Sequence, residues 1–185
     1  MTNVDREDEA AQDRPSLIDI LAGYCRLAEQ RLPDAIAGYT LADPTGMFIK
    51  QATFPSLPRS FQGAIKAVPL AIPYTGTCAQ AICTGIAVTS DDIAVETRFD
   101  AGWRRLCLDS GIQSLRSEPI GADPTEGAFV IGFKHVTKPE DWDDALMTEF
   151  AELAARAIKR HKSEEVLGCL AGERVKSGPS AAGTC

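Results

Sequence analysis

Six cysteines stand at positions 25, 78, 83, 107, 169 and 185, and two histidines at 135 and 161. No CxxC pair occurs, so the ligand spacing of a metal finger is absent. Cys78 follows Gly76-Thr77 at the start of a segment, Cys78 to Cys83, that reads as a short helix. There the positive end of the helix dipole would lower a thiol pKa, which makes Cys78 a candidate for a redox-active or ligand-touching group. The alternative is a small packing residue at a tight turn. Cys83 projects about 140° round from Cys78 on an ideal helix, which argues against a disulfide between them. Cys107 lies near the end of a helical segment from Phe99 to Ser110. The other cysteines read as small buried hydrophobes in their reduced form. His135 falls near the end of a strand, and His161 near the end of the last helix, where a solvated imidazole complements the dipole.

These groups belong to a chain of 185 residues, 44% hydrophobic and 24% charged, the balance of one globular domain. Such a length buries roughly two thirds of the unfolded surface, so the core needs no disulfide staples. Nineteen Lys and Arg against 26 Asp and Glu give a net charge of −7. That balance argues against non-specific nucleic-acid or anionic-membrane partners, which need basic patches. No run approaches the roughly 18 apolar residues of a membrane span, and the start lacks the profile of a signal peptide. A cytoplasmic location is the expectation. Residues 1–14 are polar and acidic and read as a disordered arm. Residues 163–185, ending in Ser-Gly-Pro-Ser-Ala-Ala-Gly-Thr-Cys, read as a flexible tail after the domain at 15–162.

Apolar positions Leu17, Ile20, Leu21, Tyr24, Leu27 and Ala28 repeat at threes and fours, predicting an amphipathic helix that ends before Pro33. Ala35 to Leu41 and Met47 to Ala52 form a hairpin about Asp43-Pro44-Thr45-Gly46. The Pro-rich stretch to Pro73 is irregular, with a strand expected near Ala64 to Leu70. Beyond the Cys78 helix come a brief strand, Ile86 to Thr89, and the helix to Ser110, closed by Gly111. Strands at Ile112 to Ile120 and Ala128 to His135 precede a closing helix from about Pro139 to Lys162. This order predicts an α+β fold: a central antiparallel sheet of five to six strands, with the terminal helices on one face. The excursion from roughly 55 to 110 is too long for a plain connection and is expected to wall a pocket on the other face.

The run Gly76-Thr77-Cys78-Ala79-Gln80-Ala81 resembles the G-[ST]-C-G-x-A entry to the pocket helix of GAF domains. Thr84-Gly85, Val88, Asp92-Ile93 and Arg98-Phe99-x₃-Trp103 follow at matching intervals. Gly111 to Ile120 looks like the strand G-[LIV]-[RKQ]-[SA]-x-[WR]-S-x-P-[IL], and Gly127 to Gly132 with the closing helix completes the pattern. The resemblance spans about residues 17 to 162. Ala79 departs from the usual Gly, and the D-P expected before the tryptophan is missing.

The resemblance implies a GAF/PAS-like sensor of a small molecule or of redox state, dimerising through its terminal helices. With no phosphoacceptor segment, nucleotide loop or recognition helix in the sequence, signalling would pass in trans to a separate protein. It also places Cys78, Arg98, Trp103, Gln113, Ser114, Arg116 and Glu118 on pocket elements. Arg116 is the foremost of these, because a guanidinium fork clamps carboxylates and nitrate-like anions. Strand alternation sets Ile112, Ser114, Arg116 and Glu118 on one face and Gln113, Leu115 and Ser117 on the other, so the face with Arg116 and Glu118 is alternatively solvated and ion-paired. The ligand or cofactor is not specified: bilin-binding members carry a Cys-His pair, and this chain has none. Two further function classes stand beside the sensor. One is a thiol enzyme resembling free methionine-R-sulfoxide reductases, with Cys107 near their catalytic position. The chain lacks their C-D-x-x-S-x-S-E and GVCG motifs, and a thiol cycle needs an activating neighbour and a resolving partner. The other is an interaction module without a ligand.

Overall fold

The computed structural model describes residues 15–176, with side chains through 169. The acidic arm 1–14 and the end of the expected tail, 177–185, lie outside the described residues. Helix α1 (Leu17–Arg31) begins at a capping box: the Ser16 hydroxyl accepts from Asp19 N, while Ser16 N donates to the Asp19 carboxylate. Its buried stripe is Leu21, Cys25 and Ala28. Strands β1 (Ala35–Ala42) and β2 (Ile49–Thr53) form the predicted hairpin. Asp43 closes it by accepting from the backbone N–H groups of Thr45, Met47 and Phe48.

The excursion contains α2 (Arg59–Ile65), α3 (Thr77–Thr84), β3 (Val88–Ser90) and α4 (Ala101–Asp109). The strand expected near Ala64 to Leu70 does not form. Phe61 and Ile65, one helical turn apart, instead bury the face of α2, and the following segment meets β2's approach through a single bridge, Phe48 to Pro69. Asp100 caps α4, its Oδ1 accepting from Gly102 N at 2.7 Å and Trp103 N at 3.1 Å. Strands β4 (Ser114–Ile120) and β5 (Gly127–Phe133) follow, then a 3₁₀ turn (Pro139–Asp141) and α5 (Asp144–Lys176). Helix α5 thus runs on beyond the expected end at Lys162 into residues read as tail. Residues 163–176 hold no proline, and their two glycines, at 168 and 172, lower helix propensity without ending the helix.

The five strands make one antiparallel sheet in the order β2-β1-β5-β4-β3. Its three middle strands are covered on both faces, which is why β1 and β5 are almost continuously apolar. On one face Tyr39, Phe129 and Ile131 pack against α1 and α5 through Leu21, Leu146 and Phe150. On the other, Ile36, Ala128 and Val130 pack against the excursion through Phe61, Ile82 and Cys107. The result is the expected α+β arrangement, with both terminal helices on one face. No helix among the described residues is long and apolar enough to cross a membrane.

Candidate functional site

A cavity of about 340 Å³ lies between the sheet and the excursion. Ile49 of β2 and Ile65 of α2 form one wall, Cys78 and Ala79 of α3 another, and Trp103 and Leu106 of α4 a third. Each wall follows from a local rule. The Asp100 cap fixes where α4 starts and therefore which face carries Trp103 and Leu106. Gly85, in the left-handed conformation at φ 65°, ends α3. Gly76 lets α3 and α4 approach: a Cβ there would stand 2.2 Å from Trp103 Nε1, so the indole occupies the space of a missing side chain. Phe99 holds the far side of that ring edge-on, centroids 5.1 Å apart. A roomier groove of about 480 Å³ runs along the hairpin loops and α5. Lys162 there is already paired with Glu126, and His161 lies 3.4 Å from Glu165, which makes it the weaker candidate.

The residues chosen from sequence do not gather in one place. Cys78 and Trp103 come together at the cavity. The Cys78 thiol accepts a hydrogen bond from Ser117 Oγ at 3.5 Å, and Ser117 in turn meets Thr77 Oγ1 at 2.9 Å. Burial pushes the Cys78 thiol above its ordinary pKa, and hydrogen bonds to Ser117, Thr40 and Thr77 offset only part of that rise. The lowering expected from the helix end is therefore overridden by desolvation. Cys107 is fully buried on the core face of α4 and is not part of the cavity wall; burial pushes its thiol up, and the nearby Cys78 adds to the rise.

Ser114, Arg116 and Glu118 lie on the opposite face of the sheet, which corrects their placement at the pocket. Their partners across β4 and β5 are Phe133, Ile131 and Phe129, all members of the core under α1 and α5. Ser114 bonds to His135 O at 2.9 Å and to Thr137 Oγ1 at 2.6 Å. The Arg116 guanidinium reaches Glu118 at 3.3 Å and forms an ion pair with Asp144, the first residue of α5. It fastens a helix to the sheet and has no opening toward a ligand in the cavity. Arg98 is likewise engaged elsewhere: it grips the Glu96 carboxylate through Nε and Nη2, donates to Thr89 O at 2.6 Å, and lies over the Phe99 ring. That grip holds the Glu96 carboxyl down at about 2. Gln113 is exposed.

Sequence reasoning missed the apolar walls from Ile49, Ile65 and Val68, which come from parts of the chain with no motif. The signal for α2 was present in the spacing of Phe61 and Ile65. For Ile49 the hairpin was legible but not the face it would turn to the excursion.

No family model matches the chain, and no curated protein is a match in sequence. Solved structures do match in shape. The GAF domain/HD domain protein from Geobacter sulfurreducens superposes with a TM-score of 0.57 at 15% identity, covering 82% of this chain and 95% of that one. The free methionine-R-sulfoxide reductase from Neisseria meningitidis, in complex with its substrate, gives 0.62 at 16% identity, covering 84% and 86%. A methyl-accepting chemotaxis protein segment, residues 122 to 287, gives 0.59 at 16%, covering 83% and 94%. The architecture of this protein is the GAF-type fold, as the motif order from Gly76 to Ile120 implied. At these identities the likeness establishes the fold and leaves function to the site.

Proposed function

We propose that this protein is a sensor module that binds a small molecule in the cavity between the sheet and α2, α3 and α4. The observation that carries this reading is the cavity itself: an excursion of three helices encloses about 340 Å³ beside Trp103 and Cys78 instead of packing shut. Strand β4 offers the route for a response. Ser117 faces α3 through Thr77 and Cys78, and its neighbour Arg116 faces α5 through Asp144, so one strand holds both sides. The response leaves through protein contact in the cytosol, with a second copy docking through α1 and α5 and a separate signalling protein acting downstream. Leu27 on α1 and Val166 and Leu167 on α5 are exposed apolar residues available to such contacts. Native mass spectrometry of freshly purified protein, beside the same sample denatured, tests the reading. A non-covalent adduct lost on denaturation is the expected result; a clean apo mass that no small molecule alters counts against it. Sedimentation of wild type against Leu167→Asp tests the dimer.

A second reading, a thiol-dependent reductase, draws on the fold shared with the Neisseria enzyme and on Cys78 in the cavity wall. Burial of both thiols speaks against it, since the thiolate is the attacking species. Methionine sulfoxide turnover by wild type, lost in Cys107→Ser, would establish it; no turnover ends it.

A further inference from the structure

The charge inventory of the cavity points beyond an unspecified ligand. Six of its lining side chains, Ile49, Ile65, Val68, Ala79, Trp103 and Leu106, offer hydrocarbon or an aromatic face. Among the described residues no Lys, Arg or His lines it, and both arginines that a sequence reading would aim at an anion are engaged elsewhere, Arg116 across the sheet and Arg98 on Glu96. The one charged side chain at the wall among the described residues is Asp100, exposed and negative. An anionic ligand would therefore lose its hydration with no counter-charge in return and meet a carboxylate on entry.

Three directional side chains remain at the wall: the Thr75 hydroxyl, the Cys78 thiol already bonded to Ser117, and the Trp103 indole, the donor-only group among them. The chain has two tryptophans. Trp142 Nε1 donates to Asp91 Oδ1 at 2.9 Å, whereas the Trp103 indole N–H, held against Gly76 at the cavity wall, has no acceptor among the described residues. An indole N–H on a half-buried ring at the cavity wall, with no protein acceptor, favours a ligand that brings an acceptor oxygen. The volume is about twice the roughly 150 Å³ of an apolar cavity known to hold benzene, which sets the size.

We infer that the cavity selects a small uncharged molecule with an apolar body and a single hydrogen-bond acceptor, a carbonyl compound such as a ketone, ester or lactone, whose oxygen receives the Trp103 indole N–H. This rests on the sensor reading above and narrows its ligand.

The test uses three probes of matched size: cyclohexyl methyl ketone, cyclohexanecarboxylate and 1-cyclohexylethylammonium. Each is titrated into the full chain by calorimetry. Emission of Trp103 is followed in a Trp142→Phe background, where it is the one indole left; the probes absorb little where tryptophan does. Ligands this small reach dissociation constants of roughly micromolar to millimolar at best. The ketone is expected to bind about tenfold more tightly than either ion. Trp103→Phe is expected to weaken it roughly fivefold, one hydrogen bond's worth. Asp100→Asn keeps a good helix cap and is expected to narrow the gap between ketone and carboxylate, so the assignment stays testable if Trp103→Phe fails to fold. Preference for the carboxylate, as the first-turn amides of α3 would favour, or for the ammonium overturns the ligand class and leaves the cavity a binding site. Binding of none of the three, with Trp103 emission unmoved, overturns the ligand class and the sensor reading together.

Discussion

Replacing Arg116 separates a pocket residue from a residue that fastens α5. Its side chain is 15% exposed, as is the Glu118 side chain at 18%, while Asp144 is 78% exposed. The arm to Asp144 behaves as a surface pair, worth about 0.5 kcal/mol. The arm to Glu118 lies mostly out of water, and deleting the guanidinium strands that carboxylate. Breaking a fully buried pair costs about 3–5 kcal/mol, so the partial exposure here and the 3.3 Å separation bring the cost to about 2 kcal/mol. Lost packing of the aliphatic stem adds about 0.5 kcal/mol. Arg116→Ala should therefore lose about 3 kcal/mol, read from urea midpoints at constant slope, and about 8 °C in Tm for a chain of this size. In a double-mutant cycle Glu118→Gln should recover about 1 kcal/mol of that loss. Affinity for cyclohexyl methyl ketone should stay within about twofold of wild type, since no arm of Arg116 enters the cavity. A variant of full stability that loses the probe would refute the reasoning, because it would mean that the guanidinium serves the ligand and that β4 presents its other face to the excursion.

Gly76→Ala puts a methyl group 2.2 Å from Trp103 Nε1 and forces the ring to move. The expected loss is about 1–3 kcal/mol with a shifted Trp103 emission in the Trp142→Phe background; an unchanged spectrum counts against the packing described. Glu96, held at about 2 against an ordinary 4.5, contributes stability that is fully present above about pH 4.5 and is lost as pH falls toward 2. Glu96→Gln should accordingly cost about 1–2 kcal/mol at pH 7, half-exposed Arg98 screening the rest, and flatten acid unfolding between pH 4.5 and 2; parallel curves for the two proteins would argue against the pair. Tyr39 donates from its buried hydroxyl to Phe150 O at 3.0 Å, tying β1 to α5, so Tyr39→Phe should cost about 1 kcal/mol of stability, read from the shift in urea midpoint, while leaving the ring contacts in place.

Period and punctuation made much of the fold legible. The period from Leu17, the Asp43-Pro44-Thr45-Gly46 turn and Gly111 mark element ends by chemistry that acts within a few residues, and the structure places those ends close to where the residues put them. The phase of β4 against the cavity was not legible. Alternation grouped Ser114, Arg116 and Glu118 correctly, but the neighbouring strand β5 is buried along its whole length, so nothing in its composition says which face meets which layer. Alternation also set Ile112 on the Ser114 face, and there it failed: Ile112 stands two residues before β4 begins, outside the strand's regular pleat, and packs in the core under the excursion. At Cys78 the helix start was readable and the desolvation was not, because burial is supplied by α2, α4 and the sheet together. The cavity walls were hidden for the same reason. Ile49, Val68 and Leu106 are distant in sequence and ordinary in type, and only the packing of the excursion makes them neighbours.

Helix α5 gives the molecule a lever. From Asp144, where Arg116 grips its base, it runs 33 residues, or about 50 Å. Beyond the ion pair of Lys162 with Glu126 the rod continues to Lys176, roughly two fifths of its length. A tilt of about 5° on the sheet, small enough for side chains to absorb without changing rotamer, moves the far end by about 4 Å. That is the difference between two side chains touching and standing apart. The gain of such a rod is set by its length alone, so each turn removed from the end diminishes the throw without disturbing the hinge.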